Sequence, residues 1–412
     1  MMGRIKAIRP AWLTGYAGLI ALASACGFGG ASTEGGAQSD SLKMHEQAFI
    51  DAEHDMTWEA RLWADSVMAA MTLEEMAGQV IMPAVYSDAS PGALRLVREY
   101  AVDGHVGGVV LLKGNAEAAR MIADTLRSML RVAPFIAMDA EWGLAMRLDS
   151  MPEFPRNGRI SAEAEDTLMF DYGCEVAREC REAGINMVLG PVLDVLPAGR
   201  RQSGIGSRSF GRDPERVARL GVAYAKGVES GGVISVAKHF PGHGSADADS
   251  HKRLPVVSKT RSELEASDLI PFREYIGNGL SAIMTGHLFV PALDEEEIPV
   301  TVSERILKGF LRDELGFSGL IVTDAINMAG ASGHSAADAV MAGADMVLAP
   351  ANTEEEVAGI ADAVRSGRMP AALLRDRVGR VLFHKYMTAL EVRRELFSGE
   401  HDEAERIIKL LR

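Results

Sequence analysis

Gly232-Val-Ile-Ser-Val-Ala237 runs without interruption into Lys238-His-Phe-Pro-Gly-His-Gly-Ser-Ala-Asp-Ala-Asp-Ser-His251. The first six residues read as a buried parallel strand, because they are nearly all apolar with no polar alternation. The remainder begins at that strand's carboxyl end, where α/β folds place their ligands. Pro241, Gly242 and Gly244 forbid a helix there and leave a bendable loop. The loop carries Lys238, His239, His243, Asp247, Asp249 and His251. A zinc site is one reading, from the four-residue spacing of His239 and His243, but that spacing converges only on a helix. A polar, solvated loop is another. The third is Asp249-Ser-His251 as an acid/base dyad, since residues two apart in an extended segment point the same way.

Outward from this stretch, the chain repeats a short apolar run, a polar turn and an amphipathic helix. The predicted strands are Gln79–Ala84, Gly108–Leu112, Pro134–Met138, Asn186–Leu189, Gly232–Ala237, Ser281–Thr285, Gly319–Thr323 and Ala344–Leu348. Predicted helices between them include Ala116–Arg131, Glu163–Ala183, Pro214–Ser230, Arg261–Gly277 and Ser303–Leu315. Asp213-Pro214 pairs an N-cap with a proline at the first helical turn. This alternation predicts an α/β fold, a TIM-like (β/α)8 barrel forming a single catalytic domain over 57–390. An open doubly wound sheet satisfies the same periodicity.

Titratable groups follow the strands: Asp139 and Glu141, Asp194, Lys238 and His239, His287, and Asp324. In a barrel those strand ends share one mouth. Asp324 lies just past Gly319-Leu-Ile-Val-Thr323, where it can cap the next helix or hold a reacting carboxylate.

Of the 412 residues 47% are hydrophobic, enough for a large core, and the net charge of −14 disfavours nucleic acid as a partner. Arg4, Lys6 and Arg9 precede an apolar run, Ala11–Leu22, and small residues before Cys26. Residues 1–25 therefore read as a secretory signal, with a run too short for a confident membrane span. Ala25-Cys26 resembles a lipobox, which makes Cys26 a lipidation site and membrane anchor; an ordinary cleaved signal is the alternative. Residues 26–56 have tether composition and 391–412 read as an amphipathic helical tail. Cys174 and Cys180, six apart on one predicted helix, cannot pair there and read as buried core thiols.

Lys238-His-Phe-Pro-Gly-His-Gly followed by Asp249-Ser-His251 resembles the bacterial β-N-acetylhexosaminidases of glycoside hydrolase family 3. Thr323-Asp324-Ala-Ile-Asn-Met328 resembles the segment that supplies the nucleophile in that family. The resemblance implies Asp324 as nucleophile, His251 as general acid/base and Asp249 as its partner. It further implies substrate contacts from Asp139, Arg147, Arg208, Lys238 and His239, and no metal or other cofactor. Trp142 stands where the family pattern has glycine, and Gly286 where alanine is usual. The implied activity is retaining, exo-acting release of terminal β-linked GlcNAc from peptidoglycan-derived sugars. A phosphorylase of the same family and a non-catalytic, lipid-anchored carbohydrate-binding protein are the rival expectations.

Overall fold

The computed structural model describes residues 57–398 apart from 104, 150, 163, 198, 200–203 and 251. Cys26, the signal and tether segments and His251 lie outside the described residues, as do residues 399–412.

Eight parallel strands form a ring. β1 comprises Ile81–Met82 and Ala84–Ser87 on either side of Pro83, followed by β2 (Gly108–Asn115), β3 (Phe135–Met138) and β4 (Met187–Val188). β5 (Ile234–Phe240), β6 (Ala282–Thr285), β7 (Leu320–Ala325) and β8 (Met346–Leu348) complete it. Neighbours in sequence pair in parallel all the way round. β1 then pairs with both β2 and β8. Val347 N–H donates to Val80 O at 2.8 Å on one side, and Val110 N–H to Pro83 O at 2.8 Å on the other. An open sheet has no such closing contact, so the ring is a (β/α)8 barrel. Pro83 has no N–H to give, but its carbonyl still serves the ladder, and the strand continues to Ser87.

Side chains alternate between the barrel interior and the helical layer. Ile234 and Val236, Ala282 and Met284, and Leu320 and Val322 belong to one buried cluster inside the ring. Ala237, Ile283 and Ile321 belong to another cluster, packed under the helices. This period of two has a direct consequence for function. Continuing each inward series by one step reaches Asp139 after Phe135 and Ala137, Lys238 after Val236, and Asp324 after Val322. One pleat pattern therefore sends three charged side chains toward the same mouth.

Each strand is followed by a helix: Pro91–Asp103, Ala116–Met129, Asp166–Glu182, Pro214–Ser230, Leu269–Gly277, Arg305–Glu314, Ala336–Ala342 and Thr353–Arg365. Asp213 Oδ1 accepts from Glu215 N–H at 3.1 Å, capping the helix that Pro214 opens. The predicted helix Arg261–Gly277 is two, Arg261–Glu265 and Leu269–Gly277. Between them buried Asp268 accepts from Ser267 and Lys259, contacts that compete with a continuous helix. Arg305–Glu314 is wound as a π-helix, and β4 is shorter than predicted. Cys180 is buried, but Cys174 is only half-buried and meets Ser230 Oγ at 3.4 Å.

The last helix among the described residues, Ala371–Ser398, closes the opposite end of the barrel. Its Val381 joins the interior cluster. Lys385 Nζ donates to Gln79 Oε1 at 2.7 Å and lies 5.5 Å from the Phe135 ring centre, both near strand starts.

Candidate active site

The inward step from β3 and β5 brings Asp139 and Lys238 into contact, with Lys238 Nζ 2.7 Å from Asp139 Oδ1. Arg147 Nη2 holds the other oxygen of Asp139 at 2.6 Å. Lys238 also meets Glu141 Oε1 at 2.8 Å. Arg208 grips Glu141 with two guanidinium nitrogens, Nη2 to Oε1 at 2.7 Å and Nε to Oε2 at 3.0 Å. These five side chains form one alternating network of cations and carboxylates. Burial alone would push the Asp139 carboxyl up, but Lys238 and Arg147 outweigh it and hold it far below the usual carboxylate range. Glu141 is likewise held down by Lys238 and Arg208 against its burial. Lys238 loses its hydration on burial, yet Asp139 and Glu141 raise its pKa.

Asp194, past the end of β4, is a second centre. Its Oδ2 lies 2.7 Å from His239 Nδ1, and its Oδ1 accepts from His239 N–H at 3.2 Å and His243 N–H at 2.6 Å. Burial opposes ionisation, but the two histidines bring its pKa down to about 2. His239 Nε2 faces Arg208 Nη2 at 3.5 Å, which joins this centre to the first network.

Asp324 sits at the end of β7, partly exposed at the mouth. Its Oδ1 accepts from Ala325 N–H at 2.8 Å. Burial pushes its pKa up, but His239 and His287, the Ala325 N–H and Lys238 outweigh that and hold it below the usual range. His287 is fully buried between Thr301 Oγ1 at 2.8 Å and Ala325 O at 3.0 Å, so it also braces the backbone beside Asp324.

The loop after β5 is tied down at both ends. Gly244 passes Val195 so closely that a Cβ there would stand 2.0 Å from Val195 O, which only glycine permits. At the far end Ser250 O accepts from Gly330 N–H at 3.0 Å, on the loop that follows Asp324. Asp249 lies between these anchors, its carboxyl carbon 3.7 Å from where a Cβ on Gly204 would stand. Asp247 pairs with exposed Arg253 at 2.8 Å and takes Val256 N–H, on the outside of the loop. His243 packs edge-on to His239 with ring centres 5.6 Å apart, as part of the loop's seating.

The structure thus gathers Asp139, Arg147, Arg208, Lys238 and His239 into one hydrogen-bonded cluster and sets Asp324 beside it. It adds Glu141, Asp194 and His287, which the sequence showed only as charged or titratable groups past strand ends. Among the described residues no group of three or more His, Cys, Asp or Glu is arranged to hold a metal ion. His239 and His243 share a carboxylate instead.

Cations paired with carboxylates around a barrel mouth match the hydroxyls of a sugar, and a further ionised carboxylate waits at the same mouth. Such a fold and site are those of a barrel enzyme suited to a polar substrate. Residues 72–383 match the Glycosyl hydrolase family 3 N terminal domain, and the chain belongs to that family. It is 39% identical over 265 residues to the Beta-hexosaminidase of Nitrosospira multiformis, covering 60% of this chain and 74% of that one. A solved family 3 beta-N-acetylglucosaminidase from Paenibacillus sp. str. FPU-7 superposes with a TM-score of 0.72 at 32% identity, over 83% of this chain and 68% of that one. The Beta-N-acetylhexosaminidase from Beutenbergia cavernae superposes at 0.69 with 26% identity, over 77% of this chain and 99% of that one. The protein is accordingly an enzyme that acts on carbohydrate.

Proposed function

We propose that the protein is a retaining exo-β-N-acetylglucosaminidase that releases non-reducing terminal GlcNAc from peptidoglycan-derived sugars. The observation that carries the reading is the column of inward-facing Asp139, Lys238 and Asp324 at one mouth, with Asp324 held ionised. Asp139, Arg147, Arg208, Lys238 and His239 grip the hydroxyls of the terminal sugar. The Asp324 carboxylate attacks the anomeric carbon while the glycosidic C–O bond breaks, and His251 gives its proton to the leaving oxygen. Asp249 orients that imidazole and stabilises its charged form. Water, deprotonated by His251, then attacks the glycosyl-Asp324 ester and frees the carboxylate. Histidine suits both steps because its ordinary pKa is ~6.5, so it can give and take a proton near neutrality. The similarity to relatives named for β-hexosaminidase and β-N-acetylglucosaminidase activity supports the choice of glycone.

The test is hydrolysis of a chromogenic β-GlcNAc glycoside, with the product anomer followed by NMR before mutarotation. Release of β-GlcNAc is expected. Release of α-GlcNAc sinks retention, GlcNAc phosphate formed only with added phosphate makes the enzyme a phosphorylase, and no release sinks the reading. The anchor is proposed on the same footing: Cys26→Ser is expected to move the protein from the membrane fraction to the soluble one with unchanged specific activity. Equal partition of both forms overturns lipidation at Cys26.

A further inference from the structure

Two neighbours of His239 constrain its ring independently. Asp194 Oδ2, an acceptor only, stands 2.7 Å from Nδ1, and the Arg208 guanidinium, a donor only, faces Nε2 at 3.5 Å. Nδ1 must therefore carry a hydrogen. An N–H at Nε2 would instead point at a cation. Asp194 is itself held on its other side: it is fully buried and its second oxygen takes the backbone N–H groups of His239 and His243.

We propose that Asp194 is a positioning residue that locks His239 in the Nδ1–H tautomer, so that Nε2, whose long 3.5 Å contact with Arg208 a sugar hydroxyl can replace, meets the terminal sugar as a hydrogen-bond acceptor. Lys238 and Arg208 present donors only and already engage the oxygens of Asp139 and Glu141, so an acceptor at Nε2 adds an uncharged partner for a sugar hydroxyl's own hydrogen. The same carboxylate, through His243 N–H, holds the start of the loop that carries Asp249. Glycone recognition and loop placement thus share one anchor.

Asp194→Asn separates this role from simple packing. The two backbone N–H groups retain the amide oxygen, which leaves the NH2 facing Nδ1. His239 must then accept at Nδ1 and carry its hydrogen at Nε2, with reversed polarity toward both Arg208 and the sugar.

The experiment uses the full chain with 15N-labelled histidine, the His239 signals being assigned by their loss in His239→Gln. A protonated Nδ1 is expected in the native protein and a protonated Nε2 in Asp194→Asn. In kinetics on a chromogenic GlcNAc glycoside, kcat/KM is expected to fall roughly tenfold or more, the scale of losing a hydrogen bond to a charged partner. Among glycosides each lacking one ring hydroxyl, the analogue that costs the native enzyme affinity is expected to cost the variant nothing further. A native Nε2–H tautomer overturns the proposal, as does an Asp194→Asn variant with unchanged tautomer and unchanged discrimination among the analogues. If Asp194→Asn does not fold, the native spectrum decides alone. The kinetic arm rests on the hydrolase reading above and the spectroscopic arm does not, so an inactive native enzyme sinks that reading while the tautomer still decides this one.

Discussion

Asp324 and Asp139 are both carboxylates on inward steps of the pleat, yet their partners differ. Asp139 is held on both oxygens by Lys238 and Arg147, whereas the Asp324 carboxylate takes the Ala325 N–H on one oxygen. A carboxylate pinned by cations on both oxygens is suited to binding, and one held through a single oxygen can attack. Asp324→Ala is therefore expected to cut turnover by roughly 10³-fold or more with the fold intact, checked by glycoside hydrolysis alongside circular dichroism. Near-native turnover would refute the assignment. His251→Ala and Asp249→Ala should each cost roughly 10²–10⁴ in rate, and the double variant little more, if one proton is moved by the pair. A substrate with a very good leaving group should partly rescue the His251 variant's first step. Additive losses, indifferent to the leaving group, would mean that His251 binds sugar and moves no proton. Much of this site was legible residue by residue, because strand ends and an uncommon loop motif mark their own positions. Glu141 and Asp194 showed only as titratable groups past strand ends, and their roles were not legible, since they pair with Arg208 and His239 across long sequence separations.

Elements were legible in kind and less so in extent. Apolar runs located every strand of the ring, but a two-residue strand such as Met187–Val188 takes its flanks from neighbours, and no local pattern shows that. The break at Asp268 was hidden for a similar reason, since Lys259, nine residues earlier, reaches its carboxylate only in the fold. At the base of the barrel, Asp345 precedes β8 and joins three elements. It takes Arg380 Nη1 at 2.7 Å from the final helix, Arg312 from the π-helix, and Ile321 N–H at 2.8 Å from β7. Asp345→Asn removes the carboxylate charge between two poorly exposed guanidinium groups, leaving Asp376 as the carboxylate still paired with Arg380. A loss of about 3–5 kcal/mol in unfolding free energy is expected, the usual consequence of breaking a buried pair from one side. Because this cluster lies at the strand starts, KM of the surviving folded enzyme should not change. A variant as stable as the native protein would show that the cluster does not clamp the final helix to the barrel.

For the molecule as a whole, closure was the property that periodicity left undecided, because a ring and an open sheet share the same strand–helix alternation. Packing the helices onto the closed ring buries several ionisable groups and moves them far from their ordinary pKa values. Glu229, wedged against Ser235 and Ser281, is pushed up from 4.5 to about 7 by burial, only partly offset by those hydrogen bonds. Between about 4.5 and about 7 the folded protein keeps a proton on Glu229 that the unfolded chain has released. Stability contributed by this group is therefore full at low pH, falls as pH rises through that window, and is gone above it. His384, driven down to about 3 by burial, contributes with the opposite sign between about 3 and 6.5. Glu179, also raised to about 7, adds to the first trend. The sum in the native protein is thus mixed, and the decisive quantity is a difference. Glu229→Gln keeps an acceptor for Ser281 N–H and Ser235 Oγ, and its amide can donate to Ser281 Oγ. The native protein should exceed this variant in unfolding free energy by up to roughly 3 kcal/mol more at pH 5 than at pH 8, as a shift of this size implies. Urea denaturation of both proteins at the two pH values measures it. A difference between them that stays constant with pH, or grows toward pH 8, would mean that Glu229 is ionised in the folded barrel.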